Sequence, residues 1–412
     1  MARFRLLAAA AAAVTVAVTV AAGLVGATPA AAAPADGVVF NDPTDATHKY
    51  DIQNHIIDLI HGAPAGSTIR LTIYLFASSA YRDALIQAHA NGVNVQFVAD
   101  SAEAKPTATT WHQLEDALGT DKSKPSYAIT CGAGHGCVDP DSGINHNKFA
   151  LFSSTGGKDK VFVQSSANMN SHDDGKGNSG INAWNNAVTM VDEPAIYDAY
   201  VARFNAMRDQ VHSTPYSSTD GTNAKVYFFP RSSGSTILGI LDNVDCTKKN
   251  TSGGWGPDHL TSIHVAMYKL SDVDVAKKLW SLDDQGCVVH VVRTNVGASD
   301  DTAISALEKC DRHNGVTVDS IHGRVNDDND ENDTEKVGFL HSKYLVIDGY
   351  YDGAANQRVA WTGSYNYTTG ALRSNDETLL KIRGHSDIID AFQANFATVA
   401  AHKDYSKQAG TC

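Results

Sequence analysis

The sequence predicts an α/β protein built twice: two similar halves, each a largely parallel sheet covered by helices. Two observations carry this. Short apolar runs of strand character alternate with amphipathic runs of helical spacing from about residue 38 to the end, and one set of motifs recurs in the same order in both halves. With 412 residues, 42% of them hydrophobic and 19% charged, the chain can build one large or two medium cores. A disordered chain, a collagen and a small disulfide scaffold are excluded by the same figures.

The first 32 residues read as a secretory signal peptide. Arg3 and Arg5 form a basic start, residues 6–25 are uncharged and rich in Ala and Val, and small residues follow at 30–33. Pro34 is a poor first mature residue, which sets cleavage near Ala32. No other long apolar segment exists, so a soluble, secreted product is expected. Six scattered cysteines, Cys131, Cys137, Cys246, Cys287, Cys310 and Cys412, fit disulfides in an oxidising compartment. Cys131 and Cys137 bracket a Gly-rich loop and are expected to pair with each other. The other four leave three pairings open.

In the first half, residues 52–60 have helical spacing and residues 69–76 read as a strand. Residues 81–91 then form a helix ended by Gly92, and 93–99 a second strand. The second half echoes this order. Phe40-Asn41-Asp42-Pro43 returns as Phe228-Phe229-Pro230, the strand at Ile69 returns at 261–268, and the strand at Val93 returns at 288–293 after Gly286. His146-Asn147-Lys148 returns as His341-Ser342-Lys343, and Ser165-Ser166-Ala167-Asn168 as Gly363-Ser364-Tyr365-Asn366. Each half closes with a helix, at 195–207 and 386–400. The expected organisation is therefore a signal peptide at 1–32, a first half at 38–212, a polar linker at 213–223 and a second half at 224–402.

The chemistry lies in the repeated His-x-Lys. Residues two apart on a strand share a face, so His341 and Lys343 can point into one pocket, with Asn366 joining them from the end of the next strand. Lysine supplies charge, Asn and Ser supply donors, and histidine supplies a nucleophile or a proton: a set suited to phosphate. The first copy is His146, Lys148, Ser166 and Asn168. Two such sets facing each other make a complete phosphodiester machine. One imidazole attacks phosphorus, the other protonates the leaving oxygen and then activates water. The lysines provide the cations, so no metal or other cofactor is expected.

The second copy reads H-x-K-x4-D, with Asp348, followed by G-S-x-N. Duplicated, this pattern resembles the phospholipase D superfamily, the HKD enzymes, over roughly residues 38–402, and the signal peptide and acidity are most similar to its secreted actinomycete-type members. The resemblance implies two pseudo-twofold-related α-β-α-β-α sandwich domains with the active site at their interface. It implies His146, Lys148, His341 and Lys343 as catalytic, with His146 the nucleophile and His341 the general acid/base. It further implies Ser166, Asn168, Ser364 and Asn366 as phosphate-binding, and Asp348 and Glu377 as supports behind them. Two departures stand out. Ser153 replaces the motif Asp in the first half, and the stretch aligned with Asn375-Asp376-Glu377 is Asn185-Asn186-Ala187, so Glu377 has no carboxylate twin. The two histidines should therefore differ in basicity.

Other conspicuous residues have plainer readings. His264 and His290 on apolar strands are expected to be packed core histidines. The acidic run at 327–333 lacks the Gly and final Glu of an EF-hand and reads as a solvated loop at the rim of the site. Trp255 is a loop tip or a packed turn. Of Tyr365 and Tyr367, one is expected to line the pocket and one to pack.

The resulting expectation is a secreted phospholipase D, a hydrolase of lipid degradation acting through a phosphohistidine, with transphosphatidylation when an alcohol replaces water. The expected partners are a phospholipid or other phosphodiester and transient contact with a membrane surface. The formal charge of −13 argues against a nucleic-acid partner, which sets a nuclease of the same superfamily second. A degenerate, non-catalytic binding protein is the third reading, motivated by Ser153 and Ala187. The internal duplication gives a monomer a complete site.

Overall fold

Ile69, Leu71 and Ile73 share one face of the first apolar run and are all buried, and Thr72 on the opposite face is buried as well, so the run forms a strand covered on both sides. The computed structural model describes residues 33–139, 141–170, 179–212, 216–251, 256–294, 301–322, 324–325 and 336–412. The expected signal peptide, Trp255 and the acidic run at 327–333 lie outside these residues. Residues Ala32–Cys412 form one compact unit.

The first half runs β1 (Gly37–Phe40), α1 (Asp51–His61), β2 (Thr68–Ile73), α2 (Ser79–Ala90), β3 (Asn94–Ala99), α3 (Thr109–Leu118), β4 (Tyr127–Thr130), β5 (Phe149–Thr155), β6 (Lys158–Ser165), β7 (Ala183–Trp184), β8 (Asn186–Met190) and α4 (Pro194–Asp209). Then come β9 (Ser217–Asp220), β10 (Ala224–Phe228), α5 (Thr236–Leu241), β11 (Ser262–Met267), α6 (Val273–Asp284), β12 (Val288–Thr294), α7 (Asp301–Leu307) and β13 (Thr317–Ile321). Two short strands, β14 (Arg324–Val325) and β15 (Lys336–Val337), pair with each other and precede β16 (Phe339–Leu340) and β17 (Lys343–Tyr351). The chain closes with β18 (Ala354–Gly363), α8 (Thr369–Arg373), β19 (Thr378–Arg383), α9 (Ser386–Ala401) and β20 (Tyr405–Gln408).

The duplication is visible in the sheet orders. The first sheet is β1-β8-β6-β5-β2-β3-β4, and the second contains the same order, β10-β19-β18-β17-β11-β12-β13, flanked by β9 and β20. Residues 217–220, within the stretch expected to be a linker, are strand β9, paired antiparallel with β10. The expectation of largely parallel sheets is corrected. Within these two sheets only β2-β3-β4 and β11-β12-β13 run parallel, because only these neighbours are joined by helical crossovers; the short β7 and β16 pair in parallel outside them. The central β5-β6 and β17-β18 pairs are hairpins, and their pairings with β2 and β11 are antiparallel.

Three cores set the layers. One lies between the first sheet and α1–α3, and another between the second sheet and α5–α8. The third joins the halves: Phe149, Tyr200 and Phe204 of the first half pack in one cluster with Phe228, Tyr344, Phe392 and Phe396 of the second. Helices α4 and α9 thus form the middle layer of a five-layer α-β-α-β-α sandwich. Helix α4 starts at Pro194, whose fixed φ suits a first turn, and ends where Gln210 turns left-handed at φ 52°. Helix α9 buries Ile388, Ile389, Phe392, Phe396 and Val399, a stripe of helical spacing. Burying Phe392 alone contributes roughly 2–3 kcal/mol.

The disulfides are Cys131–Cys137, as expected, together with Cys246–Cys287 and Cys310–Cys412. His264 stacks on Phe396 at 4.5 Å, and His290 Nε2 lies 2.8 Å from Asp319 Oδ2; both rings are half-buried. Tyr365 and Tyr367 are each 2% exposed and both belong to the core, Tyr365 against Phe229.

Candidate active site

The two His-x-Lys segments occupy equivalent places at the starts of β5 and β17. An extended backbone turns residues i and i+2 to one side, and in each copy the lysine ammonium folds back onto its own histidine. Lys148 Nζ donates to His146 O at 2.8 Å, and Lys343 Nζ donates to His341 O. All four side chains are buried: His146 is 8% exposed, His341 4%, and each lysine 1%.

The halves support each other crosswise. His146 N donates to Asp376 O, and His341 N donates to Trp184 O, both at 2.9 Å. One residue further on, His146 Nδ1 meets Glu377 Oε2 at 2.8 Å, while His341 Nδ1 meets Asn185 Oδ1 at 3.0 Å. Each histidine of one half is thus backed by a side chain of the other, and Nε2 remains for chemistry. This corrects the alignment made from sequence: the twin of Glu377 is Asn185, not Ala187. The backbone fixes the register, because Ser166 Oγ accepts from Asn186 N and Ser364 Oγ accepts from Thr378 N, each at 3.0 Å. Glu377 still has no carboxylate twin.

The same contacts correct the role expected of the serines. Ser166 Oγ donates to Asn185 Oδ1 at 2.9 Å, and Ser364 Oγ donates to Glu377 Oε2. Their single protons orient the groups behind the histidines and are not free for phosphate. Gly363 precedes Ser364 at φ 151°, where a β-carbon would stand 2.1 Å from Thr378 O. Asn168 Nδ2 donates to Ser179 Oγ at 2.7 Å, and its Oδ1 accepts from Leu75 N at 3.4 Å. Asn366 Oδ1 is buried and has no partner among the described residues. That orphan atom is an acceptor, which a phosphate oxygen cannot use; either asparagine would meet phosphate through its Nδ2 donor, and Asn168 only by giving up its bond to Ser179 Oγ.

Asp348 stands apart from the cluster. It lies five residues beyond Lys343, roughly 16 Å along the strand. It accepts from Gln393 Nε2 at 2.6 Å and lies 3.4 Å from Arg358 Nε. It therefore ties β17 to α9 and β18 and does not back a histidine. Its twin Ser153 accepts from Thr68 N at 2.8 Å and pins the edge of β2, a task that a hydroxyl performs as well.

Sequence reasoning missed a second pair, Tyr74 and Tyr268. Tyr74 lies 5.4 Å from the His146 ring, with Lys148 Nζ 5.6 Å from its centroid. Tyr268 lies 4.9 Å from the His341 ring, with Lys343 Nζ 5.0 Å away. Both follow the echoed strands β2 and β11 by one residue, which was the available signal. It also missed the support under Glu377. The neighbouring Asp376 carboxylate is fully buried, accepts from Val138 N at 3.2 Å and from Cys137 N, and lies 3.5 Å from Arg203 Nη2. The Cys131–Cys137 loop of the first half therefore grips the residue next to Glu377.

Burial dominates the electrostatics. It lowers His146 to about 4, with Glu377 opposing and Lys148 and Lys343 adding to the shift. It drives His341 well below the usual range, helped by the charges of Lys343, Lys148 and His146. It lowers Lys148 to about 7, against Glu377 and Asp100, and lowers Lys343 strongly, against Glu377. Neutral imidazoles are competent as nucleophile and base. The two lysines lack sufficient counter-charge, which an anion would supply. Among the described residues, no group of three or more His, Cys, Asp and Glu side chains is placed to hold a metal ion.

Comparison with known proteins supports this picture. A family model described as cardiolipin synthase, PLD-like domain, matches residues 56–208 and 259–400. No curated protein matches. Among solved structures, phosphatidylserine synthase from Haemophilus influenzae Rd KW20 is similar, with a TM-score of 0.57 and 14% identity over 90% of this chain and 87% of that one. Polyphosphate kinase from Porphyromonas gingivalis is similar at a TM-score of 0.55 and 14% identity, over 88% of this chain and 47% of that one. This chain thus spans about half the length of the kinase, and at these identities the likeness is one of fold. Both matched segments carry one His-x-Lys and its closing helix, and on this evidence the chain belongs to the phospholipase D superfamily, in the family described as cardiolipin synthase, PLD-like domain.

Proposed function

We propose that the protein is a secreted phosphodiesterase of the phospholipase D type that cleaves or transfers the phosphatidyl group of a phospholipid through a phosphohistidine. The observation that carries this reading is the crossed pair: two buried histidines, each backed at Nδ1 by the opposite half, above two buried lysines short of counter-charge. His146 Nε2 attacks phosphorus as the bond to the leaving oxygen breaks, and His341 gives that oxygen its proton where it would otherwise leave as an alkoxide. The resulting phosphoimidazolium is cationic, and Glu377 is its counter-charge. Lys148, Lys343 and Asn366 hold the non-bridging oxygens. His341 then takes the proton of water or an alcohol, whose oxygen displaces His146 from phosphorus. Water gives phosphatidic acid, and an alcohol gives a new phosphatidyl ester.

The three disulfides support an oxidising compartment, and no described helix is long and apolar enough to cross a membrane. Both active histidines lie in one chain, which supports a monomer meeting the lipid surface transiently.

The test is phosphatidic acid and head-group release from mixed phospholipid vesicles with EDTA present, repeated with added ethanol. Wild type releases head group and forms phosphatidylethanol. His146→Ala and His341→Ala do not turn over. Full activity in either variant, or no activity of the folded wild type on any phospholipid, overturns the reading.

A further inference from the structure

The site has one carboxylate where its symmetry has two places. Glu377 backs His146, and Asn185 fills the equivalent place behind His341. The amide cannot turn its nitrogen toward the histidine. Its Nδ2 donates to Gly180 O at 2.9 Å, Ser179 O at 3.0 Å and Ala183 O at 3.3 Å, while its Oδ1 accepts from Ser166 Oγ. Oδ1 therefore accepts the His341 Nδ1 proton, but carries no charge to hold an imidazolium. Among the described residues, the charged or titratable groups that act on His341 are Lys343, Lys148 and His146, and all of them oppose a positive ring. The Ser166 carbonyl acts the other way.

This asymmetry bears differently on the two steps. In the second step His341 must accept a proton, and a ring that stays neutral is always ready to do so. In the first step it must already carry one. A leaving alkoxide, such as that of a choline ester, needs this proton, because its conjugate acid is very weak. A leaving phenoxide or phosphate departs without it.

We propose, resting on the phosphohistidine reading above, that Asn185 tunes the site to phosphodiesters whose leaving oxygen is itself acidic: an aryl ester or a lipid joined through a diphosphate, in preference to an alkyl head-group ester. Bonds and charges balance without an external acid. His146 Nε2 bonds to phosphorus as the P–O bond breaks, and the leaving oxygen keeps the electron pair and departs as an anion. The acceptor's oxygen then bonds to phosphorus as its proton passes to His341 and the P–N bond breaks. His341 returns that proton to solvent. Asn185 touches no reacting atom, so it is a positioning residue.

The experiment measures kcat/KM at pH 7 for a phosphatidyl series with p-nitrophenyl, phenyl and choline leaving groups, and for a diphosphate-linked diacylglycerol as a separate arm. Wild type is expected to lose more than about 10³-fold between p-nitrophenyl and choline, within the span that general acid catalysis commands. A fast diphosphate arm alone assigns an anhydride, and fast aryl arms a phenolic ester, as the natural leaving group. His341→Ala is expected to release one equivalent of p-nitrophenol in a burst and then stall, while His146→Ala releases none. Asn185→Asp, checked for an unchanged melting temperature, is expected to raise the choline rate relative to the p-nitrophenyl rate by at least about tenfold. A wild-type series spanning less than tenfold, or no burst in folded His341→Ala, overturns the proposal. No cleavage of any member by wild type overturns the phosphohistidine reading instead.

Discussion

Glu377 of the second half and His146 of the first meet at 2.8 Å, and Ser364 and Asn375 also donate to that carboxylate. A fully buried carboxylate with three donors is fixed in direction, so it fixes the ring. Replacing it with glutamine keeps the shape and removes the counter-charge that the proposed phosphohistidine at His146 would use. Glu377→Gln is expected to lower kcat by on the order of 10²-fold while the melting temperature stays within a few degrees. A kcat unchanged in the folded variant would show that Glu377 serves structure alone.

The lysines make a prediction about protons. Lys148 is lowered to about 7 and Lys343 well below its ordinary value, both by burial, so the empty site favours their neutral forms as pH rises. An anion between them raises both values, so binding must take up protons above pH 7 and fewer near pH 6. Titration calorimetry with inorganic phosphate at pH 8, in buffers of different ionisation enthalpy, is expected to read roughly one to two protons absorbed per site. Lys148→Met should lower that number. Proton release, or none exchanged in either protein, counts against a phosphate seat.

Much of this was legible in the sequence, for identifiable reasons. His146, Lys148, His341 and Lys343 lie in a pattern that repeats with its flanking strands, and two-residue spacing on extended backbone makes a shared face unavoidable. The misplacement of Asn185 has an equally physical cause. Trp184 pairs with Leu340 in one short strand while Asn186 starts another, so the register is set by bonds to Ser166 and to the opposite half. No local pattern encodes such bonds. The serines were misread for a related reason. A hydroxyl near a histidine suits phosphate in sequence, and only the fold reveals the acceptor that already takes its proton.

A buried carboxyl pair predicts an acid-favoured stability. Asp283 is raised to about 7, first by burial and then by Asp311 beside it, although Val289 N donates to it. Its value in the unfolded chain is about 3.9, so between about pH 4 and 7 the folded state binds the extra proton. Stability therefore falls as pH rises through that window. Asp283→Asn mimics the protonated form and keeps an acceptor for Val289. It is expected to raise the melting temperature by a few degrees at pH 8 and leave it nearly unchanged at pH 4. Equal shifts at both values would remove the proton from the explanation.

The disulfides separate stability from activity. Cys310–Cys412 spans a sequence separation of 102, and Cys131–Cys137 one of 6. Chain entropy gives about 4.7 kcal/mol for closing the longer loop and about 2 kcal/mol for the shorter. Function should rank them the other way. The short loop presents the Cys137 and Val138 amides to Asp376, whose neighbour Glu377 backs His146. Paired Cys→Ser replacement at 310 and 412 is expected to lower the melting temperature more, with activity retained in the folded protein. Replacement at 131 and 137 is expected to cost less stability and more kcat. Thermal melts and kcat on the same preparations decide it: a kcat unaffected by opening the short loop would uncouple that loop from the His146–Glu377 pair.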